Sequence, residues 1–166
     1  MQNVRLIKHE NISIEEIVEV CKIKSSFGEY SIKSQKEWMN NHLNKNDLHF
    51  LLYEKNELIA YLNLIEIKLL INKNSIDALG IGSVCSKISG FGFGMKLMRE
   101  LKEFILSNNK IGYLFCKSNL VEFYEKYGWT ILDNNNTKVL QNNTMKSMIF
   151  NFNEKIDYLE YNDKLF

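Results

Sequence analysis

The sequence predicts an α/β domain built on a mixed β-sheet flanked by helices (an α/β, or α+β, class), and three features predict it. Apolar residues recur at helical spacing at Ile14, Ile17, Val18 and Cys21, and again at Met95, Leu97, Met98, Leu101, Phe104 and Ile105. Long runs of strand-forming residues lie between them: LHFLLYE, LIAYLNLIEIKLLI and IDALGIGSVCSKI. A short, almost wholly apolar stretch, IGYLFC, reads as a strand covered on both faces, the habit of a strand set between helices. The expected order is β-α-α-β-β-β-α-β-α-β-β. No linker or internal repeat interrupts it, so residues 1–166 are expected to form a single domain.

Taken in order, NVRLIK alternates and predicts a first strand. Ser13, with Glu16 three residues later, makes a capping box for the helix that follows. SSFGEYS breaks that helix, and SIKSQKEWMNNHL starts a second one, packed through Trp38, Met39 and His42 or Leu43. LHFLLYE and LIAYLNLIEIKLLI form a hairpin around Lys55-Asn56, and INKNS is the next turn. Gly80 and Gly82 open the following strand, where glycine marks a bulge or a close approach by another group. The Met95 stripe gives a helix to about residue 107. NLVEFYEKYG reads as a short helix that Gly128 ends in the left-handed conformation. WTIL and TMKSMIFNF supply two last strands, and residues 154–166 form an aromatic tail. The asparagine patches DNNNTK and QNNT read as exposed turns.

Composition narrows the function. Twenty-one Lys and Arg stand against 20 Asp and Glu, so charge gives no support to binding nucleic acid. No run approaches the roughly 18–20 apolar residues of a membrane span, and the N-terminal MQNVRLIKHE has no apolar signal core. A cytoplasmic protein with no membrane partner is expected. The three cysteines, Cys21, Cys85 and Cys116, show no metal-ligand spacing and are expected as free thiols, with no metal.

Glycine concentrates in one place. KISGFGFGMKLM sets Gly90, Gly92 and Gly94 at alternate positions directly before a helix. Such turns present unpaired N–H groups, and the helix dipole adds about half a positive charge there. The Walker A spacing is absent, and neither register of G-x-G-x-x-G finds its third glycine.

The pattern that fits is [QR]-x-x-G-x-[GA], the pyrophosphate loop of the GNAT N-acetyltransferases, which SGFGFG resembles from Ser89 to Gly94 with serine in the first position. The preceding GIGSVCSKISGFGFG resembles that family's V-x-P-x-x-R-G-x-G-x-G, with Val84 in place and Ser86 where proline is common. Downstream, Phe123-Tyr124-Glu125-Lys126-Tyr127-Gly128-Trp129 resembles the family's F-Y-x-K-x-G-[FW]. The expected element order matches the GNAT fold along nearly the whole chain.

The resemblance implies acetyl transfer from acetyl-CoA to a primary amine by direct attack. Two central parallel strands would splay near Val84–Cys85 and Phe115–Cys116, with pantetheine along Val84 and Ser86. The diphosphate would meet Ser89, Gly90, Phe91, Gly92, Phe93, Gly94 and Met95, with Gly94 letting the helix pack close. Backbone N–H groups near Val84 would hold the oxyanion. Tyr124, whose usual pKa of about 10 exceeds that of a thiol, would protonate the leaving thiolate. On the strand before the loop the one carboxylate, Asp77, lies too far upstream, so Glu66 and His49 are the candidate bases. Cys85 and Cys116 are expected to pack as small hydrophobes. Lys87, Lys96 or Lys126 would supply the charge that Ser89 lacks. Glu29, Asp157, Glu160 and Asp163 are candidates for attracting a cationic amine. The ending IDYLEYNDKLF loosely resembles the tails of aminoglycoside 2'-N-acetyltransferases and implies a small-molecule acceptor, on a monomer or homodimer. A non-catalytic acyl-CoA-binding module on the same fold is the alternative.

Overall fold

The structure is a computed structural model that describes residues 2–26, 30–139, 144–164 and 166. Nine strands and four α-helices lie among them: β1 Gln2–Lys8, α1 Ile14–Ser25, α2 Ile32–His42, β2 Leu48–Glu54, β3 Glu57–Ile71, β4 Asn74–Ser86, α3 Phe93–Ser107, β5 Gly112–Cys116, α4 Val121–Glu125, β6 Thr130–Ile131, β7 Thr137–Val139, β8 Lys146–Phe150 and β9 Leu159–Tyr161. The chain divides into two compact units, Met1–Ile65 with Gly82–Glu100, and Glu66–Ile81 with Leu101–Phe166. β3, β4 and α3 each contribute residues to both.

In the first unit β1, β2 and β3 are successive antiparallel neighbours, and residues 82–86 of β4 follow β3. The hairpin turn is the expected one: Lys55 and Asn56 both take positive φ, as a tight β2–β3 connection requires. α1 opens with the expected capping box, Glu16 N donating to Ser13 Oγ at 3.2 Å and Ser13 N to Glu16 Oε2 at 3.1 Å. Its buried residues are Val20, Cys21 and Ile23, whereas Ile14 is 69% exposed, so the inward face is rotated from the expected stripe. On α2 the choice falls to Leu43: it is buried with Met39, while His42 is exposed and stacks on Trp38.

In the second unit β4 pairs in parallel with β5 over Leu79–Ile81 and Gly112–Leu114. β8 pairs antiparallel with β5, and β6 with β8. Two strands were not expected. Asn136 N donates to Asp133 O and Asn135 N to Asp133 Oδ1, so the turn is confined to 133–136 and Thr137–Val139 is already strand β7. β7 runs parallel to β9, which also pairs with β3 at Leu70 and Ile71, so the aromatic tail contributes to the sheet. The QNNT patch lies largely outside the described residues. Tyr113, Phe115, Tyr161 and Phe166 form a ring cluster. A Cβ on Gly80 would stand 2.7 Å from Phe166, which is the close approach that glycine foretold. Gly128 ends the α4 segment at φ +89° as expected.

Candidate active site

The first unit carries the glycine loop. Ser83 on β4 adopts φ 53°, a left-handed residue inside a strand, so the expected irregularity sits one residue past Gly82. Residues 82–86 have β3 as their one strand neighbour within this unit, and Lys87 N closes the edge onto Ile59 O at 2.8 Å. Val84, Cys85 and Ser86 are half-buried.

After them the chain is open from Lys87 to Phe91, with Phe91 68% exposed. Gly90 and Gly92 take φ +82° and +78°, and a Cβ on Gly90 would meet nothing within 4 Å. α3 begins at Phe93, and Lys96 N is the donor that reaches Gly92 O, so the N–H groups ahead of it precede the helix ladder. Gly94 lies within that first turn. Met95 is 48% exposed although Leu97, Met98, Leu101 and Ile105 are fully buried, so it belongs to the loop's surface and not to the core stripe. Two alternating left-handed glycines before a free helix start form a backbone floor suited to a diphosphate.

The loop lysines are already engaged. Lys87 pairs with Glu57 and Lys96 with Glu54, while Ser89 is exposed. Lys126 is exposed in the second unit.

Tyr124 sits there on α4, 5% exposed, with its ring edge-on to Phe123 and Trp129. Burial, with a smaller contribution from Cys116, raises its pKa well above the ordinary tyrosine value. Its hydroxyl has no hydrogen-bond partner among the described residues. The cysteines are free. Cys21 and Cys116 contact Met39 and Met148 through sulfur, and burial pushes the Cys85 thiol up to about 12, so all three stay protonated.

The candidate bases separate. His49 is fully buried in a hydrogen-bonded row, its Nε2 2.9 Å from His9 Nδ1 and its Nδ1 2.8 Å from Tyr61 Oη. Burial first, then the nearby His9 and Lys24, bring its pKa down to about 3. Asp77 is ion-paired with Lys68 and Glu66 is exposed; both line a cavity of about 710 Å³ in the second unit with Lys110 and Asp163. Of the acceptor candidates, Asp157 pairs with Lys155, and Glu160 with Lys138 and Tyr158. Glu29 lies outside the described residues.

Two residues had no local signal in the sequence. Lys24 on α1 donates to Ser83 Oγ at 3.1 Å, and Tyr61 is buried at the end of the histidine row. Both depend on contacts far apart in the chain.

Among the described residues no group of His, Cys, Asp and Glu could hold a metal ion, and no helix is long and apolar enough to cross a membrane. No curated protein shows a significant match to the sequence. Solved structures resemble the fold. ElaA from Escherichia coli is 18% identical over 90% of this chain and 99% of its own, with a TM-score of 0.63. An acyl-CoA N-acyltransferase from Pseudomonas aeruginosa is 17% identical over 89% and 99%, also at 0.63. The Bacillus subtilis N-acetyltransferase YlbP, solved in complex with coenzyme A, is 17% identical over 90% and 96%, at 0.58. The sequence model of the acetyltransferase (GNAT) domain matches residues 10–132, which include both the glycine loop and the Phe123–Trp129 motif, and the chain therefore belongs to the GNAT acetyltransferase family.

Proposed function

We propose that the whole chain acts as one acetyltransferase domain that moves an acetyl group from acetyl-CoA to the primary amine of a small molecule by direct attack. One observation carries the reading: left-handed Gly90 and Gly92 lead into the free first turn of α3, directly after an irregular strand edge. In this reading the backbone of Ser89–Met95 takes the diphosphate, Gly90 and Gly92 keep side chains off it, and Val84 and Ser86 hydrogen-bond the pantetheine amides. The N–H near Val84 stabilises the developing oxyanion. Because Lys87 and Lys96 are ion-paired, the phosphates rely on backbone donors more than on lysine charge. Tyr124, held protonated by burial, gives its proton to the departing sulfur. The Cys85 thiol at about 12 is a poor nucleophile, which favours direct attack over an acyl-cysteine. A cytoplasmic setting belongs to this reading.

Isothermal titration with acetyl-CoA is expected to give a 1:1 site, and the absence of heat at high micromolar concentration overturns the reading. A screen of acetyl-CoA consumption over aminoglycosides, polyamines, amino acids and peptides then reports turnover. Binding without turnover across that panel would instead favour a non-catalytic acyl-CoA-binding module.

A further inference from the structure

Lys24 carries a charge that no carboxylate among the described residues balances. Its ammonium lies 4.4 Å over the Trp38 ring and donates to the Ser83 hydroxyl. The residue is half-buried, and that burial draws its pKa below the ordinary lysine value. No carboxylate forms an ion pair with it among the described residues. The acidic groups that bear on it are the thiols of Cys85 and Cys21, both of which burial keeps protonated. A desolvated ammonium without a counter-charge is unfavourable, and an apolar residue would fill the same space without the penalty.

Unmet polar groups accompany it. Among the described residues, fully buried Asn63 has a partner for neither Nδ2 nor Oδ1, and Ser25 Oγ, the residue after Lys24 on α1, has none either. Asn63 stands directly opposite His49 in the β2–β3 register, so the two share a sheet face, and the Lys24 charge reaches His49. This unit thus holds a cation beside the irregular part of β4 and, separately, buried side-chain atoms without a hydrogen bond.

Resting on the acetyl-transfer reading, we propose that Lys24 receives a carboxylate of the acceptor, and that the substrate class is an amine carrying a carboxylate a few bonds from its nitrogen, as in a free amino acid. Ser83 directly precedes Val84, where the acetyl carbonyl is held in that reading. A carboxylate on the Lys24 ammonium and the Ser83 hydroxyl leaves a neighbouring amine beside that position. A polyamine or an aminoglycoside brings positive charge to the same ammonium and is disfavoured.

Trp38 reports on the site. The full chain is titrated with N-acetylalanine, N-acetylglutamate and N-acetylphenylalanine, and with the carboxamide of each, following tryptophan emission; Trp38→Phe removes the contribution of that ring from the signal of Trp129. The acids are expected to give a saturable change, the carboxamides to bind about ten-fold more weakly or worse, and Lys24→Met to abolish the difference while Lys24→Arg keeps part of it. Equal binding of acids and carboxamides, an unchanged difference in Lys24→Met, or no saturable response at millimolar ligand overturns the assignment. The acid–carboxamide comparison needs no variant, so it stands even if Lys24→Met fails to fold. Calorimetry with acetyl-CoA on the same samples separates the two readings. Acetyl-CoA binding without carboxylate binding sinks the acceptor assignment alone, and carboxylate binding without acetyl-CoA binding sinks the acetyl-transfer reading.

Discussion

At Gly90 and Gly92 the same left-handed backbone meets different surroundings. A Cβ at Gly90 enters open space, so Gly90→Ala bears only the conformational cost, about 1–2 kcal/mol, readable as a lower urea midpoint. At Gly92 the added carbon also comes within 3.1 Å of Met95 Cε, a flexible end that can move aside. Both variants are expected to fold, and Gly92→Ala to weaken acetyl-CoA by about ten-fold or more in calorimetry; wild-type affinity would show that the diphosphate does not lie there. Tyr124→Phe keeps the ring contacts with Phe123 and Trp129 and removes the one proton the reading assigns. Its kcat is expected to fall about 100-fold with acetyl-CoA affinity unchanged, the lower part of the range for a general acid. Residues of this kind were legible because glycine spacing and an F-Y-x-K-x-G-W frame are local patterns. Lys24 was not: within IEEIVEVCKIKS it looks like Lys22, and only its contact with Ser83, 59 positions on, sets it apart.

Among the elements, α1 shows how far periodicity goes. The capping box was readable because Ser13 and Glu16 are three residues apart and satisfy each other's backbone N–H. Ser13→Ala is expected to cost about 1 kcal/mol in thermal or urea unfolding, with no change in acetyl-CoA binding. A variant as stable as wild type would show that the cap is worth nothing to the folded chain. The inward face was not readable. Ile14 and Cys21 both fit a helical stripe, yet Val20, Cys21 and Ile23 are buried while Ile14 is left in solvent, and that choice is made by what packs against the helix. β7 and β9 leave no mark in the sequence for a related reason. Three-residue strands carry too little alternation to register, and each exists because a partner strand supplies its hydrogen bonds.

For the molecule as a whole, the row His9–His49–Tyr61 sets an acid limit. The folded His49 titrates at about 3 and an unfolded histidine near 6.5, so between those values the unfolded chain binds the extra proton. Stability is therefore expected to fall as pH drops below 6.5, by up to about 1.4 kcal/mol per pH unit, with His9 adding to the slope through its own lowered pKa. His49→Leu, which strands the Tyr61 hydroxyl, should be less stable at neutral pH but lose less between pH 6.5 and 4.5. Urea unfolding across that window tests it, and parallel slopes for the two proteins would refute the buried neutral histidine. The α/β class, nearly the whole element order, the glycine loop and the family are legible along the chain, because each is written in residues close together in sequence. Only the packing of distant residues shows that Lys87 and Lys96 are spent on Glu57 and Glu54, that His49 is sealed inside a hydrogen-bonded row, and that Lys24 stands beside Ser83 with no carboxylate partner among the described residues. Charge balance and desolvation depend on which distant groups the fold brings within a few ångströms, and no local pattern records that.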